Sequence, residues 1–165
     1  ERGRIDMSEN LFRLFVYGTL KRGYWNHERF CRSAVSIEEA TVRGRLYEMP
    51  SGIPVLRVSE ESMFALGTED PLADAATQDH FDLPHDTQTL GEWLMIRGEL
   101  LTLSDPSRDL PPIDRLEGYR PGRFSLYRRV LVPATTSGGI VAAWTYTNSD
   151  EVIRHCLVTD RSAWP

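Results

Sequence analysis

The sequence has few of the residues that build disulfide frameworks or metal sites. It contains two cysteines, Cys31 and Cys156, which form no Cys-x-x-Cys pair and have no histidine at ligand spacing. We interpret both as idle thiols of a reducing compartment. His80 and His85 share a stretch rich in aspartate, which leaves a weak metal site as an alternative, although acidic loops are usually only solvated. We therefore expect no metal.

Excess positive charge and long apolar runs are also missing. The chain has 19 basic and 24 acidic residues, a net charge of −5. This balance argues against nucleic acid or an anionic membrane as the main partner. No apolar run approaches the length of a membrane span. The charged start lacks the pattern of a signal peptide and Met7 is a candidate natural start, so we expect a cytoplasmic protein.

Two common catalytic motifs are absent. There is no P-loop and no Gly-x-Ser-x-Gly elbow, and no residue pattern indicates a Ser-His-Asp site. The 165 residues are 41% hydrophobic and 26% charged, which suits one globular domain with a real core. We interpret 1–165 as a single domain, with a core over 10–150 and a flexible N-terminus over 1–9.

Short apolar runs separated by turn residues predict a fold with both strands and helices. We expect an α+β protein with a small, mixed, largely antiparallel, barrel-like sheet of six to seven strands and a few short flanking helices. Asn26 and Asp109 are the predicted N-caps of the first and last of these helices. Glycines inside two predicted strands, Gly44 and Gly98, favour strong curvature.

An acidic segment over 60–89 interrupts this pattern. It carries eight acidic residues and almost no basic ones, and we predict a long loop with a short helix over 71–77. We expect Met63, Phe64 or Phe81 to contact the body beside a pocket. We also expect the segment to move more than the core, and its deletion to change selectivity more than stability.

The most informative block is Tyr17-Gly18-Thr19-Leu20, directly behind the apolar run 14–16. It predicts a strand running into a glycine turn, where backbone N–H groups can hold an anion or an amide oxygen. The alternative is an ordinary corner at a strand end.

A second block, Asp114 to Tyr119, places Glu117 on a short helix that ends at Gly118. Ile113 and Leu116 give the helix an apolar side, so a carboxylate at its edge is partly desolvated and suited to acid/base chemistry. The alternative is an exposed glutamate at a helix end. Asp114 could equally be a cap or a partner of a nearby arginine, Arg115 or Arg128.

Together the two blocks resemble the γ-glutamylcyclotransferase-like superfamily, which includes the AIG2-like proteins. Further segments agree in order over roughly 12–147: Gly44-Arg45-Leu46-Tyr47, Gly52-Ile53-Pro54-Val55-Leu56, Arg97-Gly98-Glu99-Leu100, Tyr127-x-Arg129 and Trp144-Thr145-Tyr146. Ile53 stands where the family usually has tyrosine, and the acidic segment has no counterpart in compact members.

The resemblance implies a six-stranded barrel-like fold, a small-molecule γ-glutamyl substrate, and no cofactor. Glu117 would be the general acid/base of a ring closure that releases 5-oxoproline and an amine. The implied substrate-binding residues are Tyr17, Gly18, Thr19, Leu20, Gly52, Ile53, Pro54 and Tyr127. Two alternatives remain at this point: a non-catalytic small-molecule-binding module of the same fold, and a protein-interaction domain that uses the acidic segment.

Overall fold

The computed structural model describes residues 11–83, 93–120, 127–148 and 150–164. The predicted flexible N-terminus over 1–9 and the acidic segment beyond residue 83 lie outside them. The described elements follow the order β1 (Phe12–Val16), α1 (Trp25–Phe30), β2 (Ser36–Glu48), β3 (Pro54–Arg57), a 3₁₀ turn (Glu60–Ser62), β4 (Ala65–Leu66), α2 (Pro71–Thr77), β5 (Leu94–Leu103), α3 (Pro106–Glu117), β6 (Tyr127–Thr136), β7 (Gly139–Asn148), α4 (Asp150–Ile153) and β8 (Leu157–Val158).

Five of these strands close into a barrel. They follow the order β2-β5-β1-β7-β6, and a pairing of Thr41 with Thr135 joins β6 back to β2. Among the described pairs, the one between Leu14 of β1 and Trp144 of β7 is parallel and the others are antiparallel. Strands β3 and β8 extend β2, and β4 extends β6. The predicted α+β fold with a mixed, barrel-like sheet is confirmed.

The two mid-strand glycines allow neighbouring backbones to approach closely. A Cβ at Gly98 would lie 2.3 Å from the carbonyl oxygen of Val16, and one at Gly44 would lie 2.7 Å from that of Arg57. Neither position can hold a side chain without moving backbone, so these glycines permit the tight curvature that closes the barrel.

The core has two parts, which are separated by the barrel wall. One part fills the barrel, where Phe15, Val130 and Val132 are buried. The other lies outside the wall beneath the helices and includes Leu131 and Trp144. The run from Val130 to Ala134 in β6 is apolar throughout because both faces of the strand are covered there.

Helix α3 begins earlier than the sequence predicts. Asp105, and not Asp109, caps it by accepting a hydrogen bond from the backbone N–H of Arg108, and Pro106 takes the first helical position. Pro111 and Pro112 therefore lie inside the helix, where each lacks a backbone donor. Asp109 instead accepts a hydrogen bond from the hydroxyl of Ser33, at 2.9 Å.

The described part of the acidic segment, residues 60–83, is built into the fold. Met63, Phe64 and Phe81 pack against the core, as predicted. Asp74 of α2 is also buried, and its carboxylate lies 2.7 Å from a guanidinium nitrogen of Arg129, whose side chain is fully buried. This pair anchors α2 to the barrel, while the mobility of the segment and the effect of its deletion stay predictions.

The first prediction concerns this ion pair. Replacing Asp74 by asparagine leaves the buried guanidinium of Arg129 with a single carboxylate partner. We expect the free energy of unfolding, measured by urea denaturation, to fall by roughly 1–3 kcal/mol, because the charge-assisted bond from Arg129 to this buried carboxylate is lost.

The exposed Asp70 provides a control on the same helix. It caps α2 by accepting from the N–H groups of Leu72 and Ala73, and asparagine caps equally well. Asp70→Asn should therefore change stability little. An equally small effect of Asp74→Asn would contradict the structural role of the pair.

Candidate functional site

A small pocket lies where β1 ends, and both sequence blocks face it. About 60 Å³ inside it is open to the centre of a water molecule, enough for small polar groups of a ligand. The glycine turn over 17–20 and Glu117 of α3 line the same space although about a hundred residues separate them in the sequence. The lining residues are Phe15, Val16, Tyr17, Gly18, Thr19, Leu20, Ile53, Pro54, Glu117 and Tyr146.

Gly52 and Tyr127, which the sequence also nominated, lie outside this lining. Sequence reasoning missed Phe15, Val16 and Tyr146 as lining residues. The aromatic block that contains Tyr146 was part of the family resemblance, but nothing in its spacing indicated that it would reach the pocket.

The turn is held close to β3. The backbone N–H of Lys21 donates to the carbonyl of Gly18 at 3.1 Å, which closes the turn. A Cβ at Gly18 would lie 3.2 Å from Cγ of Pro54, tighter than an ordinary contact. Glycine at this position therefore lets the turn and β3 form adjoining walls.

Two side chains of the α1 region fix the far side of the turn. The Asn26 amide donates to Oγ1 of Thr19 at 2.8 Å, and Nδ1 of His27 lies 2.7 Å from the carbonyl oxygen of Leu20. The prediction that Asn26 caps α1 is wrong, since the N-cap is Tyr24 and makes no side-chain capping bond. Asn26 acts as a support for the pocket turn instead.

The hydroxyl of Tyr17 joins two strands behind the pocket. It donates to the carbonyl oxygen of Tyr146 at 2.8 Å and accepts from the backbone N–H of Leu56 at 3.3 Å. Burial, reinforced by the nearby Glu117, raises the pKa of the Tyr17 phenol well above its usual range. Tyr17 thus remains protonated and holds β7 and β3 together.

Glu117 is the last residue of α3, and the helix end fixes its position. Gly118 adopts φ = 75°, its N–H donates to the carbonyl of Arg115, and the N–H of Tyr119 donates to the carbonyl of Asp114. This pair of bonds is a Schellman motif. It reverses the chain immediately after Glu117 and directs the carboxyl-bearing residue toward the turn.

Burial and charge both disfavour ionisation of Glu117. The residue is half-buried, and burial first and the neighbouring Asp114 second raise its pKa to about 7. The lining residues include no lysine or arginine that would oppose this shift. A carboxyl group with this pKa can accept and return protons near neutral pH.

Tyr127 and Gly52 stand behind the lining. The ring of Tyr127 would lie 3.1 Å from a Cβ at Gly118, so it packs against the end of α3. Gly52, at φ = 90°, donates its N–H to the carbonyl of Met49 at 2.7 Å and closes the turn that presents Ile53. Both residues support the pocket walls from outside.

Neither a metal cluster nor a membrane-spanning helix is found in the parts of the chain that the structure describes. No group of three or more His, Cys, Asp and Glu side chains there could hold a metal ion. The sequence alternative of a weak metal site includes His85 and Asp86, which lie outside the described residues. None of the described helices combines the length and the apolar character needed to cross a membrane.

Comparison with known sequences gives two matches. Residues 14–69 match the family model of the AIG2-like gamma-glutamyl cyclotransferases. A curated relative from Niallia circulans, gamma-L-glutamyl-butirosin B gamma-glutamyl cyclotransferase, is 27% identical over 155 residues, which are 92% of this chain and 74% of the relative. The family match includes the pocket turn and ends before Glu117.

Solved structures add the evidence on the fold. An AIG2-like protein from Mus musculus superposes with a TM-score of 0.58 at 18% identity, over 94% of this chain and 89% of that one. The chain has the AIG2-like fold. YkqA from Bacillus subtilis gives a TM-score of 0.57 at 19% identity over 93% of this chain. This chain spans 39% of the length of YkqA. The resemblance that the sequence motifs indicated is confirmed.

The second prediction tests the environment of Glu117 without any substrate. Its pKa rises from 4.5 to about 7 on folding, so between these values the folded state binds more protons than the unfolded state. Glu117 therefore costs stability as the pH rises through this window. The variant Glu117→Gln lacks this penalty. The free energy of unfolding of the variant minus that of the unsubstituted protein should therefore be roughly 1–3 kcal/mol larger at about pH 8 than at about pH 5.

Urea titrations at both pH values measure this change. Glu28→Gln is the matched control, because Glu28 is exposed on α1. The difference in unfolding free energy between Glu28→Gln and the unsubstituted protein should be the same at both pH values. If Glu117→Gln behaves like this control, its carboxyl is not held in a desolvated site.

Proposed function

We propose that the protein is a γ-glutamylcyclotransferase-type enzyme that converts a small γ-glutamyl amine into 5-oxoproline and a free amine. The observation that carries the proposal is that a carboxyl group of raised pKa and a glycine turn face one small pocket. The family match and the Niallia circulans relative support γ-glutamylcyclotransferase-like activity.

Ring closure forms a bond between the α-nitrogen and the γ-carbonyl carbon of the substrate and breaks the bond from this carbon to the leaving nitrogen. During the reaction, the α-ammonium loses two protons and the leaving nitrogen gains two. We assign their transfer to Glu117, which takes up a proton from one nitrogen and delivers it to the other. A pKa near 7 suits a group that must act in both directions.

The glycine turn supplies the second catalytic element in this proposal. Backbone N–H groups of the turn over 17–20 would donate to the oxyanion that develops on the γ-carbonyl oxygen. Because Pro54, His27 and Asn26 hold the turn in place, these donors need little reorganisation when charge develops. A small pocket also folds the substrate so that its amine meets its own carbonyl.

The proposed substrate is recognised mainly through its γ-glutamyl end. The enclosed space is small, and the amine portion would extend toward Ile53, whose side chain is 55% exposed. We therefore expect several amines to be accepted as leaving groups. The alternative of an interaction domain built on the acidic segment loses support, since Asp74 and Ala75 of that segment are buried.

The third prediction concerns catalysis. Glu117→Gln should release 5-oxoproline from a γ-glutamyl substrate at least about 100-fold more slowly, which is the usual contribution of a positioned acid/base. The nearly isosteric amide should leave binding of the γ-glutamyl ligand largely intact, because the turn supplies its donors. Chromatographic assay of 5-oxoproline over a panel of γ-glutamyl amines and calorimetric titration measure the two quantities.

Glu28→Gln again serves as the control and should retain full turnover. Equal rates for Glu117→Gln and the unsubstituted protein would disprove the mechanism. Binding of γ-glutamyl compounds by the unsubstituted protein without any turnover would favour the non-catalytic binding module.

The fourth prediction concerns the pH dependence of the same reaction. Glu117 must be ionised to accept the first proton, so kcat/KM should rise with pH and level off above about 7, the pKa of this group. Initial rates measured across the range test this. A rate that is already constant well below this pKa would assign the proton transfer to another group.

A further inference from the structure

A second, larger cavity lies beside β3 and shares no lining residue with the candidate site. Its volume is about 560 Å³. Arg57 at the end of β3 lines it, whereas Pro54 at the start of the same strand lines the first pocket. The first residues of β6 and the last of β7 form much of its remaining wall, so both cavities open near the same end of the barrel.

Two buried polar atoms in this wall lack partners. Thr147 of β7 is 1% exposed, lines the cavity, and pairs across the sheet with Arg128 of β6, so the two side chains share a face. Within the described chain, Oγ1 of Thr147 and Nε of Arg128 have no hydrogen-bond partner. Because unpaired buried polar atoms are costly, two such neighbours at one cavity indicate a ligand that satisfies them.

These two atoms have the chemistry of a carboxylate site. The Arg128 guanidinium is a donor, and the Thr147 hydroxyl can donate as well. A carboxylate accepts several such bonds, and bonds from a guanidinium to it are the stronger, charge-assisted kind.

The rest of the cavity lining is acidic or apolar. Glu60, Glu61 and Asp150 are exposed and carry negative charge at the cavity, which suits an ammonium group. Met63 and the ring of Trp93 add apolar surface, and the guanidinium of Arg57 lies 5.2 Å from the centre of that ring. The cavity thus combines donors for a carboxylate, acidic groups for an ammonium, and apolar area for a side chain.

We propose that this cavity binds a free α-amino acid as a zwitterion. The carboxylate contacts Arg128 and Thr147, and the ammonium faces the acidic side chains. This site goes beyond the proposed cyclotransferase reaction and requires no turnover, so its test is independent of that proposal.

Binding is measured by isothermal titration calorimetry with L-leucine, L-lysine and L-glutamate at millimolar concentrations. Each is compared with its Nα-acetyl derivative, which lacks the ammonium, and its carboxamide, which lacks the carboxylate. At least one free amino acid should bind, and both of its blocked forms should bind roughly tenfold or more weakly, since each loses a charged contact. Equal binding of a blocked form, or no binding of any of the three, would overturn the proposal.

Two matched threonine variants of β7 locate the site. Thr147→Val removes a hydroxyl with no described partner, so it should weaken amino acid binding while the melting temperature stays the same or rises. Thr145→Val removes a hydroxyl that donates to the carbonyl of Phe15 at 3.0 Å, so it should lower the melting temperature and leave affinity unchanged.

The threonine pair also separates this site from the first pocket, because neither hydroxyl lines that pocket. Unchanged affinity of Thr147→Val would place the amino acid elsewhere and contradict the assignment.

Discussion

The buried guanidinium of Arg129 holds together elements that are far apart in the chain. It pairs with Asp114 of α3 through Nε and Nη2 and with Asp74 of α2 through Nη1. Rings of Phe12, Tyr119 and Trp144 surround it, each with its centre 5.2–5.6 Å from the guanidinium carbon. A cation this deep is tolerated only while its partners are in place, so the positions of both helices on the barrel depend on it.

The same interaction reaches the candidate site. Asp114 accepts a hydrogen bond from the hydroxyl of Tyr146, a residue that lines the pocket, and its charge adds to the burial that raises the pKa of Glu117. The carboxylate that stabilises the fold therefore also adds to the proton affinity of the proposed acid/base, which burial raises first. A change in this ion-pair network would alter the candidate site even though Arg129 does not line the pocket.

Local signals in the sequence predicted many of the elements. Pro71 predicts the start of α2, and Gly118 predicts the end of α3, because both signals are local. The predicted start of α3 was wrong: Asp109 was the expected cap, whereas Asp105, directly before Pro106, caps the longer helix that forms.

Long-range partners could not be predicted in the same way. Arg129 finds Asp74 across 55 residues, and the acidic composition around Asp74 indicated a solvated loop. The pocket combines a local signal with a long-range contact. The glycine turn was visible as a local pattern, while the proximity of the turn to Glu117 followed from the family resemblance and not from spacing. The unpaired hydroxyl of Thr147 gave no signal, since its burial beside a cavity depends on how the barrel closes.

The parallel pairing of β1 with β7 affects when the pocket can form during synthesis of the chain. The bond from the Tyr17 hydroxyl to the carbonyl of Tyr146 spans 129 residues, so the ribosome makes one side of the pocket long before the strand that supports it. Contacts of such high sequence separation form late and slowly. A nascent chain that lacks β7 carries the glycine turn but no enclosed pocket, so the chemistry proposed for Glu117 must await the completed barrel.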